Sequence, residues 1–172
     1  MRTTWNFHSA GQLSFGAGAV RQIGNWTARR GLQRVLVVAD PVLDRVGIVD
    51  LLREALASAD RTVELFVEGE PEPSIETALR AIDCARQFRP DAVVGLGGGS
   101  NMDLAKVTAN VVTHGGQPPD YFGWDRVPGP VLPLICVPTT AGTGSEVSHA
   151  AVLTDTASQL KVSTLSQRSE ER

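Results

Sequence analysis

The sequence predicts an α/β fold: a Rossmann-like, doubly wound, mostly parallel sheet with helices on both faces. Three observations carry that expectation. Apolar runs without polar alternation occupy 34–39, 91–96 and 132–137, as in strands buried on both faces. Between them, apolar residues recur at i, i+3, i+4 and i+7, the spacing of a helix that packs one face on a core. Strand and helix patterns alternate at lengths that make parallel βαβ units with right-handed crossovers.

The elements follow in order. Leu13-Ser14-Phe15 reads as a short edge strand, and Phe15-Gly16-Ala17-Gly18 turns the chain into a helix. There Val20, Ile23 and Trp26 share a face, and Gly31 stands where a helix-ending glycine belongs. After the strand at 34–39, Ile48, Leu51, Leu52, Ala55, Leu56 and Ala59 form a core-facing helical stripe. Residues 62–67 read as the next strand, and Gly69-Glu70-Pro71-Glu72-Pro73 breaks it. Ser74 then caps a helix bearing Ile75, Ala78, Leu79, Ile82 and Ala85. The strand at 91–96 leads through a glycine turn into a helix over 101–112. A polar loop rich in Gly and Pro, 114–130, precedes the strand at 132–137. A Thr/Gly/Ser loop and a weaker apolar segment, 150–153, complete the series.

With 172 residues, the chain suits one packed domain, drawn at 1–165, and a polar tail at 166–172 expected to fray. Its 42% hydrophobic and 20% charged content is that of a globular protein. A net charge of −3 gives no reason to expect nucleic acid or an anionic membrane as partner. No apolar run is long enough to span a bilayer. The segment 1–6 lacks the pattern of a secretion signal, so the cytosol is expected. Cys84 and Cys136 form no metal-spaced pair and read as buried, inert thiols.

In a parallel α/β sheet, ligands bind beyond the carboxyl ends of the strands, so the residues just after each strand carry the information. Gly97-Gly98-Gly99-Ser100 follows a buried strand and opens a helix. Glycines let backbone approach a phosphate, and the helix start adds free N–H groups and the positive end of its dipole. The same residues fit a plain tight turn with Ser100 as N-cap and Asp103 as first-turn acid. They match neither the Gly-x-Gly-x-x-Gly fingerprint nor a P-loop, since Lys106 lies well inside the helix. Pro138-Thr139-Thr140-Ala141-Gly142-Thr143-Gly144-Ser145-Glu146 follows another apolar strand. Its hydroxyls and small residues suit a polar ligand, and an ordinary loop with Ser145 as a cap is the other reading. Asp40, at the tip of the first buried strand, can accept hydrogen bonds from both hydroxyls of an adenosine ribose and repel the extra phosphate of NADP. It also fits a capping Asp in an Asp-Pro turn. His8, His114 and His149 are scattered and build neither a zinc motif nor a catalytic triad, so no metal ligand and no catalytic residue is assigned.

The stretch from Gly97 to Lys106, with Pro138 to Glu146 after it, resembles the iron-containing (group III) alcohol dehydrogenases. Phe15-Gly16-Ala17-Gly18, Asp40-Pro41 and Glu70-Pro71-Glu72-Pro73-Ser74 add to the match, which runs from about Leu13 to Ser163. The resemblance implies an N-terminal α/β domain for NAD(P) and a C-terminal helical domain, with the active site in the cleft between them. It implies that Gly97, Gly98, Gly99 and Ser100 cradle the pyrophosphate and that Asp40 takes the adenosine ribose. Asp103, Thr139, Thr140, Thr143 and Ser145 would line the cofactor groove, and Lys161 would lie near the cofactor. A divalent metal, usually iron, is implied on Asp and His residues of the helical domain. Dehydroquinate synthases share a glycine turn and a Pro-Thr-Thr, but Thr143-Gly144-Ser145-Glu146 argues against them.

The family's helical domain has no counterpart in the 172 residues. The expectation is therefore an NAD-dependent alcohol dehydrogenase represented by its cofactor-binding part, which binds NAD weakly and turns over no alcohol alone. A non-catalytic nucleotide-binding module is the alternative. Partners implied are a dinucleotide, a small alcohol or carbonyl compound and a second copy in a homodimer. The face meant for the missing domain is expected to expose apolar surface.

Overall fold

The computed structural model describes residues 11–166; the segment 1–6, His8 and residues 167–172 of the expected tail lie outside them. Ser166, assigned to that tail, is buried, and its N–H donates to the His149 carbonyl at 3.2 Å.

Four strands form a parallel sheet: β1 (Arg34–Val38), β2 (Thr62–Phe66), β3 (Ala92–Gly97) and β5 (Leu134–Pro138), in the order β2-β1-β3-β5. β1 and β3 occupy the centre, and the expectation of strands buried on both faces holds there: Val35 to Val38 are fully buried, as are Ala92, Val93 and Val94. β5 is an edge strand and is half-exposed along 134–137.

The helices divide between the two faces. α1 (Ile23–Arg29) and α3 (Ile48–Ala57) share a core with Val35, Val37, Val94 and Leu96, which point to one side. α4 (Ile75–Phe88) and α5 (Gly99–His114) share a core with Leu36, Val38 and Val93, which point to the other. The connection after β1 thus leaves toward one edge and one face, while the connection after β3 leaves toward the other edge and face. That makes a topological switch point between the carboxyl ends of β1 and β3, where such sheets open a crevice.

The local rules behave as the residues dictate. Ser74 caps α4 by accepting from the Thr77 N–H at 3.1 Å. Gly31 follows α1 with φ +68°, the left-handed geometry that ends helices. At Gly95, α5 lies directly on β3; a β-carbon there would come within 2.9 Å of both Ala105 Cβ and Met102 Cα.

Some expectations need correction. Leu13-Ser14-Phe15 is not a strand, and Leu13 and Phe15 are exposed; among the described residues no strand pairs with it, and three unpaired residues have no strand identity. The stripe on α3 is rotated: Val49 is buried with Leu52 and Leu56 against Val35 and Val37, and Leu51 is 56% exposed; α2 (Pro41–Arg45) precedes it. Ser100 is not the N-cap of α5. Gly98 holds that position in extended backbone without a side-chain cap, so α5 starts two residues earlier than expected and Asp103 falls beyond its first turn.

The largest addition is a second sheet, in which β6 (Ala150–Asp155) and β7 (Leu160–Leu165) form an antiparallel hairpin and the two-residue β4 (Gly123–Trp124) pairs parallel with β7. The weaker apolar segment was the visible part of it. Ala151 and Leu153 of β6 join the core of α4 and α5. α5 is consequently buried almost all round, from Asn101 to Val111 apart from Asp103.

Candidate functional site

All four parallel strands end on one rim, and the residues that follow them meet there. β1 ends at Asp40. Its Oδ1 accepts from the N–H groups of Val42 and Leu43 at 2.8 and 3.0 Å, capping α2. Its Oδ2 accepts from Asn101 Nδ2 at 2.9 Å. The capping reading of Asp40 is therefore realised, and the carboxylate stays half-buried at the mouth of the crevice. Asn101 is 3% exposed and also donates to the Leu96 carbonyl at 2.9 Å, so it ties the end of β1 to the end of β3.

The glycine turn and the hydroxyl loop lie side by side. Gly97 pairs with Pro138 across β3 and β5, and the Thr139 N–H donates to the Gly97 carbonyl at 2.9 Å. A β-carbon on Gly98 would sit 3.3 Å from Thr140 Oγ1. One on Gly99 would sit 3.5 Å from Thr143 Cβ and 3.7 Å from Ser145 Cβ. Gly97 has φ +140°, and a β-carbon there would collide with Asn101 Nδ2 at 2.2 Å, so only glycine fits. The first-turn N–H groups of α5, without a side-chain cap, open onto the place where Thr139, Thr140 and Thr143 stand exposed. Backbone donors, hydroxyls and a helix N-terminus together make a surface for an oxyanion.

Behind the loop lies a network that the residue patterns did not disclose. Lys106 is 3% exposed. Its ammonium donates to the carbonyls of Ser145, Ser148 and Ala150 at 2.6, 2.8 and 2.8 Å. It also donates to the hydroxyls of Ser145 and Ser148 at 3.2 and 3.3 Å. Asp103 lies 3.7 Å from it, accepts from Ser145 Oγ, and accepts from the Val152 N–H at 3.0 Å. Asp103 and Ser145 are thus joined to each other and to β6, while Thr139, Thr140 and Thr143 face outward. The sequence did hold a signal for this: a Lys and an Asp three residues apart on a helix whose other residues here are mostly apolar or small. A charge in such a helix is almost never buried unpaired.

The Glu70-Pro71-Glu72-Pro73-Ser74 turn closes the rim beyond β2. Glu70 accepts from Thr77 Oγ1 and from the hydroxyl and N–H of Ser74. The Thr77 bond, then those of Ser74, hold its carboxyl below the ordinary value. The Glu72 N–H donates to Ser100 Oγ at 3.3 Å, which leaves that hydroxyl's proton free to turn toward a ligand. Lys161, on β7, is exposed and pairs with the Glu72 carboxylate at 2.6 Å, so it reaches the rim through this turn and stands apart from the glycine turn itself.

Two further groups sit nearby or elsewhere. His149 lines a cavity of about 10 Å³ with Lys106, Asn110 and Thr164, room for a single water molecule at most. His114 lies at the far end of α5 against the Gly129 carbonyl. Among the described residues no three His, Cys, Asp or Glu side chains come together as a metal would require, so the iron implied by the resemblance does not fit these residues. Cys84 and Cys136 are half-buried and not joined in a disulfide; burial pushes the Cys84 thiol up. No helix among the described residues is long and apolar enough to cross a membrane.

A doubly wound parallel sheet with a glycine turn and a hydroxyl loop at its switch-point rim is an α/β domain of the kind that takes ligands at that crevice. Residues 10–169 match the family model for iron-containing alcohol dehydrogenase, and the chain belongs to that family. It is 33% identical to the NAD-dependent methanol dehydrogenase of Bacillus methanolicus, over 95% of this chain and 43% of that protein. The crystal structure of a 1,3-propanediol oxidoreductase superposes with a TM-score of 0.92 at 31% identity, over 96% of this chain and 44% of that one. Sulfoacetaldehyde reductase from Bifidobacterium kashiwanohense, solved in complex with NAD+, superposes with a TM-score of 0.85 at 28% identity, covering 97% and 44%. The chain spans about two fifths of the length of the curated relatives it matches.

Proposed function

We propose that residues 11–166 form the NAD-binding part of an alcohol dehydrogenase, an enzyme that interconverts a small alcohol and its aldehyde or ketone. The observation that supports this most directly is the approach of the two loops, with the Gly98 position 3.3 Å from Thr140 Oγ1 once a β-carbon is added. The first-turn N–H groups of α5, Ser100 Oγ and the hydroxyls of Thr139, Thr140 and Thr143 would hold the diphosphate. Asp40, already accepting from Asn101, would take the adenosine ribose and disfavour a 2′-phosphate by charge repulsion. Lys161, paired with Glu72, would bound the cofactor from the side of the second sheet.

Nicotinamide, when bound, supplies the acceptor or donor for the hydride. The role of this chain's residues is to grip, orient and select the dinucleotide. Polarising the alcohol oxygen calls for a metal or an acid–base group, and among the described residues no three His, Cys, Asp or Glu side chains stand together as a metal site needs. The chain by itself accordingly binds NAD weakly and turns over no alcohol. In its full setting it works in the cytosol, as a homodimer, on a small alcohol or carbonyl compound.

Calorimetric titration with NAD+ and NADP+ tests the site. Wild type is expected to prefer NAD+. Gly98→Val, which fills the space between the loops, abolishes binding of both. Asp40→Ala weakens NAD+ and narrows the preference. Binding that both variants leave unchanged would move the site elsewhere and sink the reading.

A further inference from the structure

Lys106 is the group with the most contacts and no part in the site as drawn. Helix α5 carries it away from the rim, yet every carbonyl it binds belongs to the segment 145–150 that continues from the hydroxyl loop. That loop has little else to hold it. It leaves a strand at the edge of the parallel sheet, its residues 139–143 are exposed, and among the described strands β5 pairs with β3. An ammonium gathering three carbonyls replaces the ladder that a neighbouring strand would provide, and charge-assisted bonds of this kind are among the stronger ones.

The geometry also fixes polarity. In a trans peptide the N–H points opposite to the C=O, and there are no cis bonds among the described residues. With the carbonyls of Ser145 and Ser148 turned toward Lys106, the N–H groups of Glu146 and His149 are turned away from it. The lysine therefore determines where the loop sits and which end of its peptide dipoles faces inward.

We propose that Lys106 is a positioning residue for diphosphate binding: by holding 145–150 it keeps Thr140 and Thr143 opposite Gly98 and Gly99. This rests on the dinucleotide reading of the site. Among the described residues the lysine's hydrogen bonds all go to 145–150, the second loop and its continuation into β6, so its effect is expected there rather than in the parallel sheet.

The test compares wild type, Lys106→Met and Lys106→Arg for binding of NAD+, ADP and adenosine, with hydrogen exchange of the free proteins. Lys106→Met is expected to weaken NAD+ and ADP at least tenfold while adenosine stays within threefold. Amides of 139–149 exchange at least tenfold faster, and those of β1 and β3 are unchanged. Lys106→Arg, which keeps the cation with a different reach, falls between. A folded Lys106→Met that binds ADP within twofold of wild type overturns the proposal, as does an equal loss for ADP and adenosine. Should Lys106→Met not fold, Lys106→Arg decides: a wild-type ratio of ADP to adenosine affinity overturns the proposal, and a reduced ratio supports it. Wild type that binds no NAD+, or binding indifferent to Gly98→Val, removes the dinucleotide site itself and the proposal with it.

Discussion

The turn after β3 and the loop after β5 stand a few ångströms apart on the same rim and are held in different ways. The turn ends a central strand, paired on both sides and fully buried along 92–94. It runs straight into a 16-residue helix, so its geometry is fixed by the ladder below and the helix beyond. The loop ends an edge strand paired on one side, and its outer residues are exposed. What fixes it comes from behind, through Lys106 and Asp103. Ligand surfaces on an edge strand need such tertiary support because the sheet supplies only half of the hydrogen bonds that position a central one.

Substitutions sharpen or break this contrast. The largest effect is expected at Gly97, where alanine meets a φ of +140° and the side chain of Asn101. Gly97→Ala should cost roughly 3 kcal/mol, read as a fall in melting temperature of about 6–12 °C; a fall below about 2 °C would show that the turn is less constrained than its geometry says. Asp103→Ala comes next. It removes the acceptor of Ser145 Oγ and the Val152 N–H and leaves the Lys106 charge without its nearest anion. The expected cost is about 2 kcal/mol, measured by urea unfolding. Hydrogen exchange should place the loosening in 143–153, and loosening spread evenly over the parallel sheet would break the contrast.

Glu70 gives a smaller effect with a defined pH dependence. Its folded carboxyl lies below the ordinary value, chiefly through Thr77 and Ser74. The stabilisation is therefore complete above the unfolded value and is lost as pH falls through the folded one. The melting-temperature difference between wild type and Glu70→Gln should be constant from pH 6 to 8 and shrink below about pH 5; a difference that grows on acidification would reverse the sign and refute it. Smallest in stability is Thr140→Ala. The exposed hydroxyl should contribute less than about 0.5 kcal/mol to folding, while the affinity for NAD+ falls several-fold by titration. Unchanged affinity would remove Thr140 from the proposed anion contacts.

Much of the parallel half was legible because its signals are local. The apolar runs that follow Arg34 and Asp91 read as strands covered on both faces, and Ser74 and Gly31 mark helix ends by residue type. The second sheet was not legible. β7 reads Leu160-Lys161-Val162-Ser163-Thr164-Leu165, a half-exposed strand whose identity comes from pairing with β6. Leu13 to Phe15 failed for the converse reason, an apolar triplet that pairs with no strand among the described residues. Of the candidate site, the glycines, threonines and Asp40 were visible as residues that follow strands. Asn101 and Lys106 were not, because a buried amide and a buried ammonium are recognised by what surrounds them. Position 106 was read only as too deep in the helix for a P-loop, and that depth is what lets it reach the far side of the second loop.

The missing side chain at Gly95 has a consequence beyond packing. Helix α5 rests against β3 at that point, and the same helix carries Asn101 to Asp40, Ser100 to the backbone of Glu72, and Lys106 to the carbonyls of 145–150. Its height above the strand is therefore a single coordinate shared by every segment at the mouth of the crevice. The four strand ends thus take their relative heights from one helix.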